Sequence, residues 1–160
     1  MGKIVLVMDG DKDRQGKIRS VIEQHNGYLM AGTRNCADAV RRLSSFPVDL
    51  MLIDVDMRKL EGMVLLSIVK GKDLHGRALS DGVYENVADN YFDGDRMAYQ
   101  AFLDRYRDAP VVMMAENPGN AGRTAGKIGA VQYLQKRPRG SASYPVSEHR
   151  LWQTLNTYIK

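Results

Sequence analysis

The sequence predicts an α/β protein built on a doubly wound, five-stranded parallel sheet, on three observations. Leu50 to Ile53 is a short, continuous apolar run after Pro47. That is the pattern of a strand buried on both faces, and such strands belong to parallel sheets covered by helices. Runs of this kind alternate along the chain with segments whose apolar residues recur at helical spacing, the order expected of βα units. Finally, acids stand where strands should stop: Asp9 follows Lys3–Met8 and Asp54 follows Ile53. A carboxylate ending a buried strand is costly unless it is paired, metal-bound or facing a crevice, and open α/β sheets keep their sites at that edge.

The first strand, Lys3–Met8, closes on the acidic turn Asp9-Gly10-Asp11. From Asp13, residues Ile18, Val21 and Ile22 mark a helix, and Asn26-Gly27 suits its end. Tyr28 to Thr33 reads as the second strand, and Asn35 caps a helix from Cys36 to about Ser44 with Ala39, Val40 and Leu43 inward. Beyond the central strand, Met57 to Gly62 forms a loop in which Gly62 supplies the backbone freedom for the turn, and Met63 to Val69 forms a third helix.

Residues 71–108 break the rhythm and read as a helical insertion before the fourth strand. They carry Tyr84, Tyr91, Phe92, Tyr99, Phe102 and Tyr106, so the segment should pack rather than stay a loose linker. Met97, Ala101, Phe102, Arg105 and Tyr106 fit one helix, while Val83, Val87 and Tyr91 fit another. Asp89 to Asp95 faintly resembles a calcium loop, but the ligand spacing is wrong and no glutamate closes it. Pro110 to Met114 is the fourth strand. Asn117-Pro118 starts a helix that Gly119, Gly122, Gly126 and Gly129 should leave short or mobile, because an internal glycine costs up to about 1 kcal/mol relative to alanine. Ala130 to Leu134 is the fifth strand, and a last helix begins at Ser147 with Leu151, Trp152, Leu155, Tyr158 and Ile159 on its buried face.

The 160 residues fit a single domain spanning 1–160, and 44% hydrophobic with 26% charged residues is an ordinary globular composition. No apolar run approaches the roughly 18 residues of a membrane helix, and no signal-peptide pattern opens the chain, so a cytoplasmic location is expected. The lone Cys36 excludes an intramolecular disulfide and a cysteine-based metal cluster. A formal charge of +4, with bases scattered in short groups such as Arg41-Arg42 and Arg58-Lys59, gives no reason to expect nucleic-acid binding.

Asp54, Met57, Glu61 and Gly62 fall on the pattern apolar-apolar-Asp-x-x-Met-Pro-x-x-Asp-Gly, with Arg58 in the proline position. The stretch therefore resembles the receiver domain of two-component response regulators, and the likeness extends upstream through Gly27-Tyr28, Ala39 and Leu43 to Pro47 and Asp49. The resemblance implies a flavodoxin-like strand order, 2-1-3-4-5, with Asp54 as phosphoacceptor. It also implies Mg2+ or Mn2+ held by Asp9, Asp54 and the backbone of Asp56, with Asp11 a further candidate, and Lys136 contacting the phosphoryl group. Ala115 and Tyr133 fall on the switch positions.

The departures are specific. The family has two adjacent acids where this chain has Asp9-Gly10; alignment from Lys3-Ile4 gives Asp9 the second, metal-binding slot, and alignment from Ile18 gives it the first. Arg137 precedes the usual proline, here Pro138, which is most often cis in the family. Ala115 stands where receivers have Thr or Ser and offers no hydroxyl, which should weaken phosphate-to-surface coupling by roughly 1.5–3 kcal/mol.

The function implied is that of a stand-alone receiver, not an enzyme. It would take phosphate from a sensor histidine kinase or phosphotransfer protein and signal to a downstream protein partner, with a homodimer as a further expectation and no membrane involvement. The alternative is a degenerate receiver that docks partners independently of phosphate through the aromatic insertion. A flavin-binding or small-molecule enzyme on the same scaffold is disfavoured, because no glycine-rich loop follows the first strand and His25, His75 and His149 lie apart.

Overall fold

Parallel pairing of the apolar runs builds the sheet in the computed structural model, which describes residues 2–25, 27–117 and 119–160. The strands are β1 (Lys3–Met8), β2 (Tyr28–Thr33), β3 (Leu50–Asp54), β4 (Val111–Ala115) and β5 (Gln132–Gln135). They are parallel throughout and lie in the order β2-β1-β3-β4-β5. The helices are α1 (Lys12–Glu23), α2 (Cys36–Ser45), α3 (Glu61–Lys70), α4 (Asp81–Tyr91), α5 (Arg96–Tyr106), α6 (Gly119–Ile128) and α7 (Glu148–Tyr158). None is long and apolar enough to cross a membrane.

Because successive side chains of a strand point to opposite faces, each buried strand feeds two cores. Val5, Val7, Leu50, Leu52, Val112 and Met114 meet α1 and α7 on one face. Leu6, Met8, Met51, Ile53, Val111 and Met113 meet α2, α3, α5 and α6 on the other.

The insertion is part of the second core. Tyr99, Phe102, Leu103 and Tyr106 form the buried face of α5, and Phe92 stacks on Tyr99 at 5.0 Å between ring centroids. Buried tyrosines need partners for their hydroxyls. Tyr99 donates to the Ile68 carbonyl at 2.9 Å, and Tyr106 donates to the carbonyls of Leu43 and Phe46 at 2.6 and 3.0 Å. At the far end Lys70 Nζ donates to the carbonyls of Arg107 and Ala109. The segment is thereby clamped to α2 and α3, while Met97 is 83% exposed and Ala101 is exposed too.

Other boundaries also move. The helix expected to be short, α6, runs for 10 residues with Ala125 and Ile128 buried, while the Pro118 of its predicted start lies outside the described residues. The amides of Gly129 and Ala130 bond back to Ala125, which closes α6 and delays β5 by two residues relative to the expectation. In α7, Leu151 and Leu155 are buried as expected, but Trp152 and Tyr158 are only half-buried. Asn26, predicted at the end of α1, is likewise outside the described residues.

Asn35 caps α2 as expected, its side chain accepting from the Asp38 amide. Asp38 in turn accepts from Thr33 Oγ1 at 2.8 Å, from Arg42 Nε at 2.9 Å and from Arg41. Partial burial pushes this carboxyl up, but the Arg42, Thr33 and Arg41 bonds outweigh it and hold the pKa at about 2. A depressed folded-state pKa contributes stability that is complete above the ordinary carboxylate value and lost as pH falls through the folded one. Between about pH 4 and pH 2 the protein should therefore lose about 2 kcal/mol through this group. Urea midpoints across that window should show a flatter acid limb for Asp38→Asn; an unchanged limb would remove Asp38 from the account.

Candidate functional site

Strand register decides which residues meet. Met8 pairs with Ile53, so the next residues, Asp9 and Asp54, leave neighbouring strand ends together. Ala115 pairs with Gln135, and Lys136, one residue on, donates its amide to the Ala115 carbonyl at 2.7 Å. Asp9, Asp54 and Lys136 are all buried, at 0%, 2% and 5% exposure.

Lys136 Nζ lies 2.8 Å from Asp54 Oδ1 and 2.9 Å from Asp56 Oδ2. Asp54 Oδ1 also accepts the Asp56 amide at 3.0 Å, and Asp56 Oδ2 accepts the Glu116 amide at 3.1 Å. Arg14, near the start of α1, completes the cluster: Nε donates to Asp9 Oδ2 and Nη2 to Asp9 Oδ1, both at 2.9 Å, and Nη2 lies 3.5 Å from Asp54 Oδ2. The notch opens into a crevice of about 900 Å³ bordered by Asp11, Arg34, Asn35, Met57 and Glu61.

The charges are strongly coupled. Burial raises the Asp54 pKa, the Lys136 hydrogen bond opposes the rise, and the nearby charge of Asp9 adds to it. Asp56 is pushed up by burial too, but the Lys136 bond and the Glu116 amide bring it below the usual range. Lys136 is raised because its bonds to Asp54 and Asp56 outweigh desolvation. Arg14 is raised mainly by its hydrogen bond to Asp9, against desolvation.

Asp11 stands apart from these groups. It is the N-cap of α1, accepting from the amides of Asp13 and Arg14, and its other oxygen bonds Arg139. That placement gives it a helix-capping role. Gly62 is also not the turn residue it was expected to be. The positive φ values belong to Lys59 and Leu60, at 56° and 55°, in a 3-10 turn over Arg58–Leu60. Gly62 instead sits in the first turn of α3, where a Cβ would lie 2.1 Å from the Asp54 carbonyl oxygen.

Of the expected switch residues, Ala115 is buried at the end of β4, and Tyr133 packs from β5 against the same core. The Tyr133 hydroxyl is buried without a hydrogen-bond partner among the described residues, and burial, reinforced by the Asp56 charge, raises its pKa. A buried unpaired hydroxyl costs about 1–3 kcal/mol. Tyr133→Phe should accordingly raise the urea-unfolding free energy by about 1 kcal/mol, and a loss would mean that the hydroxyl does find a partner. Among the described residues the cis peptide is at Tyr144-Pro145, and Pro138, the expected position, is not cis.

Two members of the cluster escaped sequence reading: Arg14 and the side chain of Asp56. Arg14 had one signal. A side chain in the first turn of a helix leans back toward its N-terminus, here toward the ends of β1 and β3. Among the described residues, no group of three or more His, Cys, Asp or Glu is arranged to hold a metal ion.

Comparison with known proteins agrees with this fold. Residues 5–80 match the family model of the response regulator receiver domain. Protein-glutamate methylesterase/protein-glutamine glutaminase 3 of Rhodospirillum rubrum is 29% identical over 63 residues, 39% of this chain and only 17% of that protein. Chemotaxis protein CheY4 of Vibrio cholerae superposes with a TM-score of 0.65 at 15% identity, covering 99% of this chain and 100% of that one. A sensor protein from Polaromonas gives 0.66 at 14% identity, covering 98% and 94%. The receiver domain of a Pseudomonas aeruginosa sensor histidine kinase, solved with a magnesium ion in its active site cleft, gives 0.59 at 14% identity, covering 99% and 98%. At these identities the superpositions establish the fold.

Proposed function

We propose that the chain, whose residues 5–80 match the response regulator receiver domain, accepts a phosphoryl group on Asp54 and signals through its own surface. The observation that carries this reading is the buried contact of Lys136 Nζ with Asp54 Oδ1 at 2.8 Å, between residues 82 apart in sequence. With Oδ1 held by Lys136 and the Asp56 amide, Oδ2, reached by Arg14 Nη2 only at 3.5 Å, is the oxygen that attacks. A P–O bond forms as the bond from phosphorus to the donor's imidazole nitrogen or acyl oxygen breaks, and the donor keeps that electron pair. Lys136 stands where its ammonium can bond the incoming phosphoryl oxygens. The domain acts as acceptor, not as a turnover enzyme.

The family resemblance, and the magnesium of the Pseudomonas relative, raise the question of Mg2+ or Mn2+ on Asp9, Asp54 and the Asp56 carbonyl. Carboxylate and carbonyl oxygens are the donors such an ion prefers. Here, however, Arg14 bonds both oxygens of Asp9 and reaches toward Asp54, so the residues as arranged do not fit the ion. Charge compensation in the notch rests with Arg14 and Lys136.

The donor would be a sensor histidine kinase or phosphotransfer protein and the recipient of the signal a protein partner or a second copy, in the cytoplasm. Phosphate-independent docking through the aromatics of the insertion is not favoured, because Phe92, Tyr99, Phe102 and Tyr106 are buried in the core.

The test is intact-mass and peptide mapping after incubation with an acyl phosphate and, separately, with a phosphorylated histidine kinase, in magnesium-containing buffer. One phosphoryl group on Asp54 is expected. An unmodified Asp54 after prolonged incubation with both donors would overturn the reading.

A further inference from the structure

We infer that the Arg14 guanidinium occupies the place of the divalent cation, so that Arg14 and a metal ion exclude one another in this receiver. The inference deepens the proposed function and rests on reading the notch as a phosphoacceptor site. The helix geometry comes first. Asp11 caps α1, which makes Arg14 the third residue of the helix and directs its side chain back over the ends of β1 and β3. The planar fork then meets Asp9 with Nε and Nη2, each at 2.9 Å, in the bidentate arrangement that guanidinium and carboxylate share. The same Nη2 lies 3.5 Å from Asp54 Oδ2, and Nη1 lies 3.8 Å from Asp11 Oδ2. One covalently tethered cation thus contacts every side-chain carboxylate expected to bind a metal.

Charge balance points the same way. Three carboxylates, of Asp9, Asp54 and Asp56, face two cations, Arg14 and Lys136, within hydrogen-bonding reach. A divalent ion added to this set would reverse the sign of a largely buried cluster. For the ion to reach Asp9, Arg14 must give up two charge-assisted hydrogen bonds and swing into the crevice. The Arg14 side chain is 20% exposed, so it has a path out.

Binding of Mn2+ alone, followed by electron paramagnetic resonance with no phosphodonor present, tests this. Relative to Arg14→Gln, the parent protein should bind Mn2+ about a hundredfold more weakly, the worth of two such hydrogen bonds. Arg14→Gln should also gain a melting-temperature increase with Mg2+ that the parent lacks, since a ligand that binds the folded state stabilises it. Equal Mn2+ affinity in the two proteins, or no binding by either, would overturn the inference. Should Arg14→Gln fail to fold, the parent still decides the matter: its Arg14 Nε–H resonance should stay slow to exchange and unmoved through a Mg2+ titration, and a shift saturating with Mg2+ would count against exclusion. Because no phosphate is involved, failure of Asp54 to accept phosphate would leave these readouts intact.

Discussion

Asp54→Asn should abolish phosphoryl uptake while leaving the fold at least as stable as the parent. Loss of uptake follows from chemistry, since an amide oxygen is no nucleophile toward phosphorus, and Asp56, the other acid on Lys136, lies 41% exposed outside the buried strand ends. The stability follows from the charges. Burial raises the Asp54 pKa, so the ionised form is disfavoured in the folded protein. The sign is fixed by linkage: an acid whose folded pKa exceeds its unfolded one costs stability as pH rises through the folded value, and removing the acid removes that cost. The substitution strands neither cation, because Lys136 keeps Asp56 at 2.9 Å and Arg14 keeps both oxygens of Asp9. Urea unfolding at pH 7 should give an unchanged free energy or a gain of up to about 2 kcal/mol. A loss larger than that would mean the Lys136–Asp54 pair is net stabilising and that the notch is built for cohesion rather than for acceptance.

What the sequence made legible is what repeats or alternates. Leu50 to Ile53 announced a buried strand, and acids at two strand ends announced the edge where a site would lie; the coordinates place Asp9, Asp54 and Lys136 there together. The insertion's helices were visible from spacing, but which residues of α5 are buried was not. Hydrophobicity ranks Met97 above a tyrosine, yet Tyr99 is the residue that can fill the core and also satisfy its hydroxyl, on the Ile68 carbonyl. An acid after a strand serves equally as ligand or helix cap, and that Asp11 caps α1 became visible only with the position of the helix. Arg14 was invisible for the opposite reason. A base on the first turn of a helix ordinarily faces solvent, and its role rests on Asp9 at the end of β1 and on Asp54, a partner 40 residues away.

Gly62→Ala should destabilise the protein and misplace the phosphoacceptor, although every local rule points the other way. Gly62 lies inside α3 without a positive φ, so alanine would meet no backbone strain and would gain up to about 1 kcal/mol of helix propensity. Against this, its Cβ would fall 2.1 Å from the Asp54 carbonyl oxygen and 3.1 Å from both the Asp54 carbonyl carbon and Ile53 Cγ2. The main obstacle is backbone, so no side chain can swing away, and α3 must move off β3. Overpacking of that kind costs about 1–3 kcal/mol, and the displaced strand end carries Asp54 with it. Since a shift near 1 Å can slow a positioned reaction by about a hundredfold, phosphorylation should slow by at least about tenfold. Urea midpoints and the rate of label uptake at Asp54 report the two effects separately. A variant that is more stable and equally fast would show that helix propensity outweighs the contact, and that α3 is not packed as closely on the Asp54 carbonyl as the site's geometry requires.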